Sequence, residues 1–212
     1  MAPTEDPRLP KNVDEFIAKQ RAAIAANPDC GVSHYNLAVG LIGRGQFQEA
    51  EEELLAAINA SENMSEAYVQ LGGLSLRKGN LEEALRYNQM AVKLKPGFSE
   101  GWGNIGFIHL QRGEADESIN ALKKATHFNF RFVQAFTTLG NAYLMKGEVD
   151  KSIEANRKAV DIQPDFAVAH NNLAIAYLEK GAFALAVEHC DRAIALGYEV
   201  APQIKAEIDA RR

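Results

Sequence analysis

Apolar positions along most of the chain recur three and four residues apart, the spacing of a helix, and not two apart, the spacing of a strand. Between Val133 and Phe166, the residues Phe136, Leu139, Gly140 and Tyr143 share one helical face. Lys146-Gly147-Glu148 then interrupts the pattern with a glycine of the kind that ends helices. A second stripe, Val149, Ser152, Ile153, Ala159, Val160 and Ile162, runs on to Pro164, which cannot continue a helix. One such block predicts an antiparallel pair, helix A followed by helix B.

The block recurs. Gly45, Gly79, Gly113, Gly147 and Gly181 are each 34 residues apart, and Ala23, Ala57, Ala91, Ala125, Ala159 and Ala193 keep the same step. So do Leu37, Leu71, Ile105, Leu139 and Leu173, each followed by a small residue (Ala38, Gly72, Gly106, Gly140, Ala174). A second small column is Ala50, Ala84, Ser118, Ser152 and Ala186. A fixed period means stacked units, none of which can bury its apolar face alone. The small columns let helices approach closely and the aliphatic ones fill the space between them.

Trp102-x-x-Ile105-Gly106 and Phe136-x-x-Leu139-Gly140-x-x-Tyr143, with the later alanine and proline columns, resemble the tetratricopeptide repeat. The resemblance implies an all-α, right-handed α-solenoid with units at 31–64, 65–98, 99–132, 133–166 and 167–200. Residues 11–30 match only a helix B, with Phe16, Ala23 and Pro28 in its columns. Without a helix A of its own, that half unit is expected to expose an apolar edge of Phe16, Ile17 and Ile24. Pro3, Pro7 and Pro10 predict an extended tail over 1–10. In 201–212, Pro202 opens a capping helix with Ile204 and Ile208 inward and Lys205, Glu207, Asp209, Arg211 and Arg212 outward. Glu62, Phe130 and Tyr198 depart from the proline column, which leaves the helices intact but bears on the angle between neighbouring units.

Composition agrees with helices: 33 alanines against 17 aromatic residues, with 47% hydrophobic and 24% charged residues in a chain of 212. The net charge of −5 disfavours nucleic acid and anionic membranes as partners. The sequence contains neither a membrane-length apolar run nor a secretory signal pattern, so a soluble, cytoplasmic protein is expected. Two cysteines, Cys30 and Cys190, form no disulfide framework.

Candidate chemistry dissolves into the repeat. Gly101-Trp-Gly103-Asn-Ile-Gly106 has the spacing of a dinucleotide loop, which needs a preceding strand, but it falls inside a helix A. His34, His109 and His170 occupy aromatic columns and read as packing. His189 and Cys190 are neighbours on a helix and point to different sides. The expectation is no enzyme, no cofactor and no metal site.

The resemblance places repeat positions 2, 5, 6, 9, 12 and 13 in a concave groove lined by the A helices. Position 6 reads Asn36, Gln70, Asn104, Thr138 and Asn172, side chains of which the amides both donate and accept. In members of the family an asparagine ladder of this kind holds an extended peptide backbone. Two readings stand: the row does the same here, or asparagine is simply the family's common residue at this position. Position 5 supplies Tyr35, Gly103, Thr137 and Asn171; position 9 supplies Gly73, Phe107 and Asn141. The clamp by which other members grip the acidic C-termini of heat-shock chaperones is absent, because these columns hold no lysine and Arg77 is their single arginine. Glycines inside a helix cost stability, so Gly73, Gly101 and Gly103 mark either a central notch rimmed by Gln70, Arg77, Asn104, Phe107 and Asn141 or packing that the array tolerates. The resulting expectation is a non-enzymatic scaffold that binds a peptide or partner protein. Self-assembly through the N-terminal half repeat, giving a weak homodimer in place of a monomer, is the alternative, and an RNA-binding helical repeat is a weaker third.

Overall fold

The computed structural model describes residues 13–211, so the expected tail over 1–10, the first two residues of the half repeat and Arg212 lie outside the described residues. Every regular element among them is a helix. In chain order these are α1 (Val13–Ala26), α2 (Gly31–Gly43), α3 (Phe47–Ala60), α4 (Ser65–Arg77), α5 (Leu81–Leu94) and α6 (Ser99–Gln111). They continue as α7 (Ala115–Phe128), α8 (Val133–Met145), α9 (Val149–Ile162), α10 (Ala167–Glu179), α11 (Phe183–Ala195) and α12 (Pro202–Asp209). The chain divides into two compact units, Met1–Pro96 and Gly97–Arg212.

Each A helix ends in the same way. Gly45 adopts φ 77°, a left-handed conformation that costs a residue with a Cβ. It lets the Gly45 N–H bond the Ile42 carbonyl and the Gln46 N–H bond the Leu41 carbonyl, at 3.0 and 2.9 Å. This 5→2, 6→1 pair uses carbonyls that the helix end leaves without partners. Gly79, Gly113, Gly147 and Gly181 repeat the conformation, which is why the glycine column is unbroken in the sequence. The B helices α3, α5, α7 and α9 stop at equivalent residues whether proline (Pro96, Pro164) or another residue (Glu62, Phe130) follows. Proline is therefore not what ends them. Where Tyr198 replaces it, Gly197 at φ 83° closes α11.

In the first unit α2 packs on α3 and α4 on α5, with α1 against α2 and α3 against α4. The second unit repeats this with α6/α7, α8/α9 and α10/α11, and α12 lies on α11. Helices of a pair approach closely at the small column of helix A. A Cβ built on Gly72 would lie 2.2 Å from Asn88 Nδ2, and one on Gly140 2.1 Å from Asn156 Nδ2. Both asparagines are fully buried and donate to the carbonyl one turn earlier, Ala84 and Ser152 respectively, at 2.8 and 2.9 Å. At Gly106 the facing residue is the buried Leu122, and Ser118 Oγ donates to the Gly106 carbonyl at 2.7 Å. Around these crossings lie clusters such as Leu37, Leu41, Leu54 and Leu71 in the first unit and Leu173, Cys190 and Ile208 in the second.

One expectation at the ends is corrected. Phe16, Ile17 and Ile24 do not form a free apolar edge: Ile17 is buried, Ile24 packs on the first core cluster, and a Cβ on Gly40 of α2 would meet Ile17 and Phe16 at 2.9 and 3.1 Å. The half repeat covers itself because Gly40 lets α1 close onto α2. At the other end Ile208 is buried and Ile204 half-buried, and the exposed Arg211 lays its guanidinium over the Phe183 ring, 4.6 Å from its centroid.

Two glycines to alanine should move stability in opposite directions. At Gly73 the added methyl meets nothing within 4 Å, so the helix gains about 0.5–1 kcal/mol. At Gly140 it displaces Asn156 from a buried hydrogen bond, a loss of about 1–3 kcal/mol. Shifts of the denaturation midpoint in the same direction for both variants would contradict this packing.

Candidate functional site

The residues expected in the groove separate by exposure. In the first unit, α2 and α4 carry Tyr35, Asn36 and Gln70 half-buried and Gly73 and Arg77 exposed. Burial and the nearby Glu66 carboxylate push the Tyr35 hydroxyl above its ordinary pKa, against a smaller opposing influence of the Gln70 amide from the neighbouring repeat. Partial burial pushes Glu66 up, but the hydrogen bond and charge of Lys95, 3.0 Å away, outweigh it and leave the carboxyl below its usual range. Arg77 does not reach outward as a free cation. Its guanidinium lies 3.8 Å from the centroid of the Phe47 ring.

In the second unit, α6 and α8 present Phe107 and Asn141 exposed and Asn104 and Thr138 half-buried. Phe107 is 40% exposed, and Val32, Val39 and Met145 are also large apolar side chains left open in the groove columns. None of those three belongs to the amide ladder at position 6. Their signal was present, since an apolar residue in a groove column has no core to enter.

Four expected site residues are closed. Gly103 is buried, and a Cβ there would lie 2.8 Å from the Phe132 ring. This glycine makes room for the chain's own phenylalanine, so the central notch is not open at Gly103; Gly101 is buried as well. Thr137 is buried, its hydroxyl donating back to the Gln134 carbonyl at 3.0 Å, and the Thr138 hydroxyl donates to the same carbonyl at 2.8 Å. Asn171 and Asn172 on α10 are buried, Asn172 with 6% exposure and with its Nδ2 lacking a partner among the described residues. The ladder therefore does not continue as an open row into α10.

The histidines also have structural work. His34 Nε2 is 2.8 Å from the Pro28 carbonyl, and His170 Nε2 is 2.8 Å from the Pro164 carbonyl, so the two equivalent rings hold the loop before their own helix. His34 Nδ1 bonds Glu53 at 2.6 Å, His109 Nδ1 bonds Glu114 at 2.5 Å, and His170 Nδ1 lies 3.0 Å from His189 Nδ1. Among the described residues no cluster of three or more His, Cys, Asp and Glu could hold a metal ion, and no helix is long and apolar enough to cross a membrane.

This arrangement of equivalent helix pairs defines a helical-repeat protein. Residues 35–97 and 99–129 match family profiles described as tetratricopeptide repeat, and residues 140–181 match one described as TPR repeat. The chain belongs to the tetratricopeptide-repeat family. A crystal structure of the MamA protein shares 26% identity, covering 82% of this chain and 98% of that one, with a TM-score of 0.68. The crystal structure of YrrB, described as a TPR protein with an unusual peptide-binding site, shares 18% identity over 90% of this chain and 97% of that one, with a TM-score of 0.71. The pilF protein of Pseudomonas aeruginosa gives a TM-score of 0.81 at 16% identity, covering 95% and 90%. At such identities the last two show the fold alone. No curated protein matches the chain significantly. Tetratricopeptide-repeat proteins generally mediate protein–protein interactions and are typically non-enzymatic.

His34 and His189 should titrate on opposite sides of the ordinary imidazole value of about 6.5. Burial lowers the pKa of His34, but its bonds to Glu53 and the Pro28 carbonyl outweigh this and raise it. Burial, then the charge of neighbouring His170 with a smaller part from Arg157, lowers His189 despite Glu188. His34 thus adds stability that is present below about 6.5 and lost as pH rises through its folded value, whereas the part due to His189 is complete above about 6.5 and lost as pH falls. An NMR titration of the imidazole resonances showing His189 above His34 would contradict these environments.

Proposed function

We propose that the chain is a non-enzymatic adaptor whose helix-A faces bind an extended segment of another protein. The observation that carries this reading is the mixture of exposure on α6 and α8. An open aromatic ring, Phe107, stands among amides at Asn104 and Asn141 that can donate and accept. Such a surface grips a peptide backbone by hydrogen bonds and one apolar side chain by burial, while rigid helices need little reordering on binding. On α2 and α4 the accessible counterpart is Tyr35, Asn36, Gln70, Val39 and Gly73. Family membership supports a protein partner.

The same reading makes the protein a cytoplasmic one that acts as a monomer and binds neither nucleic acid nor membrane. The net charge of −5 opposes association with polyanions. Self-assembly through α1 loses its basis, since Phe16 and Ile17 pack against α2. The groove residues we assign are the accessible ones, with Phe107 as the anchor.

Affinity capture from the native cell tests this reading, comparing the wild-type chain with a triple variant Asn104→Ala, Phe107→Ala, Asn141→Ala and with a control changed at an exposed helix-B position, Glu117→Ala. Partners lost by the triple variant and kept by the control are expected. Loss of an anchoring aromatic and its flanking amides should weaken binding of the purified partner by about tenfold or more. An unchanged partner set and affinity in the triple variant would refute the assignment.

A further inference from the structure

In three of the five repeats the residue at position 4 of helix A is met by the side chain at position 23, on helix B. In the first repeat, His34 bonds Glu53 at 2.6 Å. In the second, Tyr68 packs against the buried Tyr87, ring centroids 6.4 Å apart. In the fifth, His170 meets His189 with centroids 5.2 Å apart, and the His189 ring lies 5.5 Å from that of Tyr177 at an interplanar angle of 6°. Repeats three and four have alanine at position 23, Ala121 and Ala155. In the third, position 4 is the bulkier Trp102, whose face is covered by Lys124 Nζ at 4.0 Å.

In the fourth repeat nothing replaces the missing ring. Phe136 and Tyr143, the equivalents of His170 and Tyr177, face a cleft of about 350 Å³ formed by α7, α8 and α9 and floored by Leu139 and Ala155. Sites for small ligands begin at about this size. Its rim carries Lys123, Lys151 and Lys158 against one carboxylate, Glu154, which pairs with Lys158 at 3.0 Å. Lys151 Nζ bonds Glu148 and stands 5.6 Å from the Tyr143 ring centroid, while Lys123 forms no ion pair among the described residues. A positive rim on a chain of net charge −5 selects for an anionic partner.

We propose that this cleft is a second binding site, on the helix-B side of the fourth repeat, for an aromatic side chain flanked by acidic residues in a segment of a partner protein. The internal occupants of the equivalent space in the second and fifth repeats, Tyr87 and His189, are side-chain rings, and His189 is stacked on Tyr177, the counterpart of the cleft's Tyr143. The incoming ring takes the place that Ala155 leaves vacant. The acidic neighbours reach the ammonium groups of Lys123, Lys151 and Lys158, exposed charges whose pairing is strongest at low salt.

The probe is a blocked peptide of sequence Glu-Asp-Tyr-Glu-Asp, titrated at low salt into the full chain with NMR detection and with affinity read by fluorescence anisotropy. Saturable shifts at Thr126, Ala155 and Lys158 are expected. Replacing the tyrosine of the peptide by alanine, or its acidic residues by lysine, should weaken binding about tenfold or more. Ala155→His copies the filler of the fifth repeat and should weaken binding to the same degree without lowering the unfolding midpoint. Should that variant fold poorly, Lys123→Glu, at an exposed position, is expected to show the same loss. Binding unaffected by both variants, equal binding of the alanine peptide, or shifts confined to Asn104, Phe107 and Asn141 would overturn the proposal. So would self-association of the chain that Ala155→His abolishes while peptide binding persists, since the occupant would then be a second copy.

Discussion

The crossing of the two helices in each pair is the contact on which the other features depend. A small residue on helix A (Ala38, Gly72, Gly106, Gly140, Ala174) faces the residue sixteen places later on helix B (Leu54, Asn88, Leu122, Asn156, Cys190). Glycine accompanies asparagine in both repeats that have one, because the amide sits where a Cβ would otherwise be. Close packing makes the choice of partner at each crossing a shared one: the residue on helix B can be large only where helix A yields space. With the crossing held, the left-handed glycine after each A helix returns the chain in the same direction every time, and the period of 34 follows.

A held pair also settles which faces remain for binding. Helix A spends one side on its own helix B and others on neighbouring helices, and what is left is a narrow strip of positions. Where that strip carries Phe107 and Asn141 it is open; where it carries Gly103, Phe132 has taken it. Position 4 with position 23 shows the same economy on the other side, with the chain's own rings closing the second and fifth repeats and a basic-rimmed gap remaining in the fourth. Ion pairs such as Lys78–Glu51, Lys146–Asp116 and Lys180–Asp150 link each repeat's turn to the preceding helix B, but they are exposed, and such pairs contribute little to stability.

Helix positions and turns were readable from the sequence because each rests on local rules: apolar spacing, a terminating glycine, and proline opening α12. The candidate site was only partly readable because exposure is set by residues far along the chain. Gly103 looks like an opening until Phe132, twenty-nine residues on, is placed against it. Asn172 shares the column of Asn36 and Asn104, and Asn171 that of Tyr35, but both are buried on α10. Phe16 and Ile17 looked like an exposed edge, and Gly40 shows why they are not. The cleft beside Ala155 was invisible for the same reason, since an alanine announces a gap only when compared with Tyr87 and His189 at the same repeat position.

A double-mutant cycle on Gly72 and Asn88 measures the central contact directly. Gly72→Ala alone should destabilise the chain by forcing the buried amide from the Ala84 carbonyl. In the background of Asn88→Leu, which recreates the Ala38 and Leu54 pairing of the first repeat, the same change should cost little or nothing, giving a coupling energy of about 1–3 kcal/mol. A coupling energy near zero, with Gly72→Ala costing the same in both backgrounds, would show that the crossing is not what sets the helix pair.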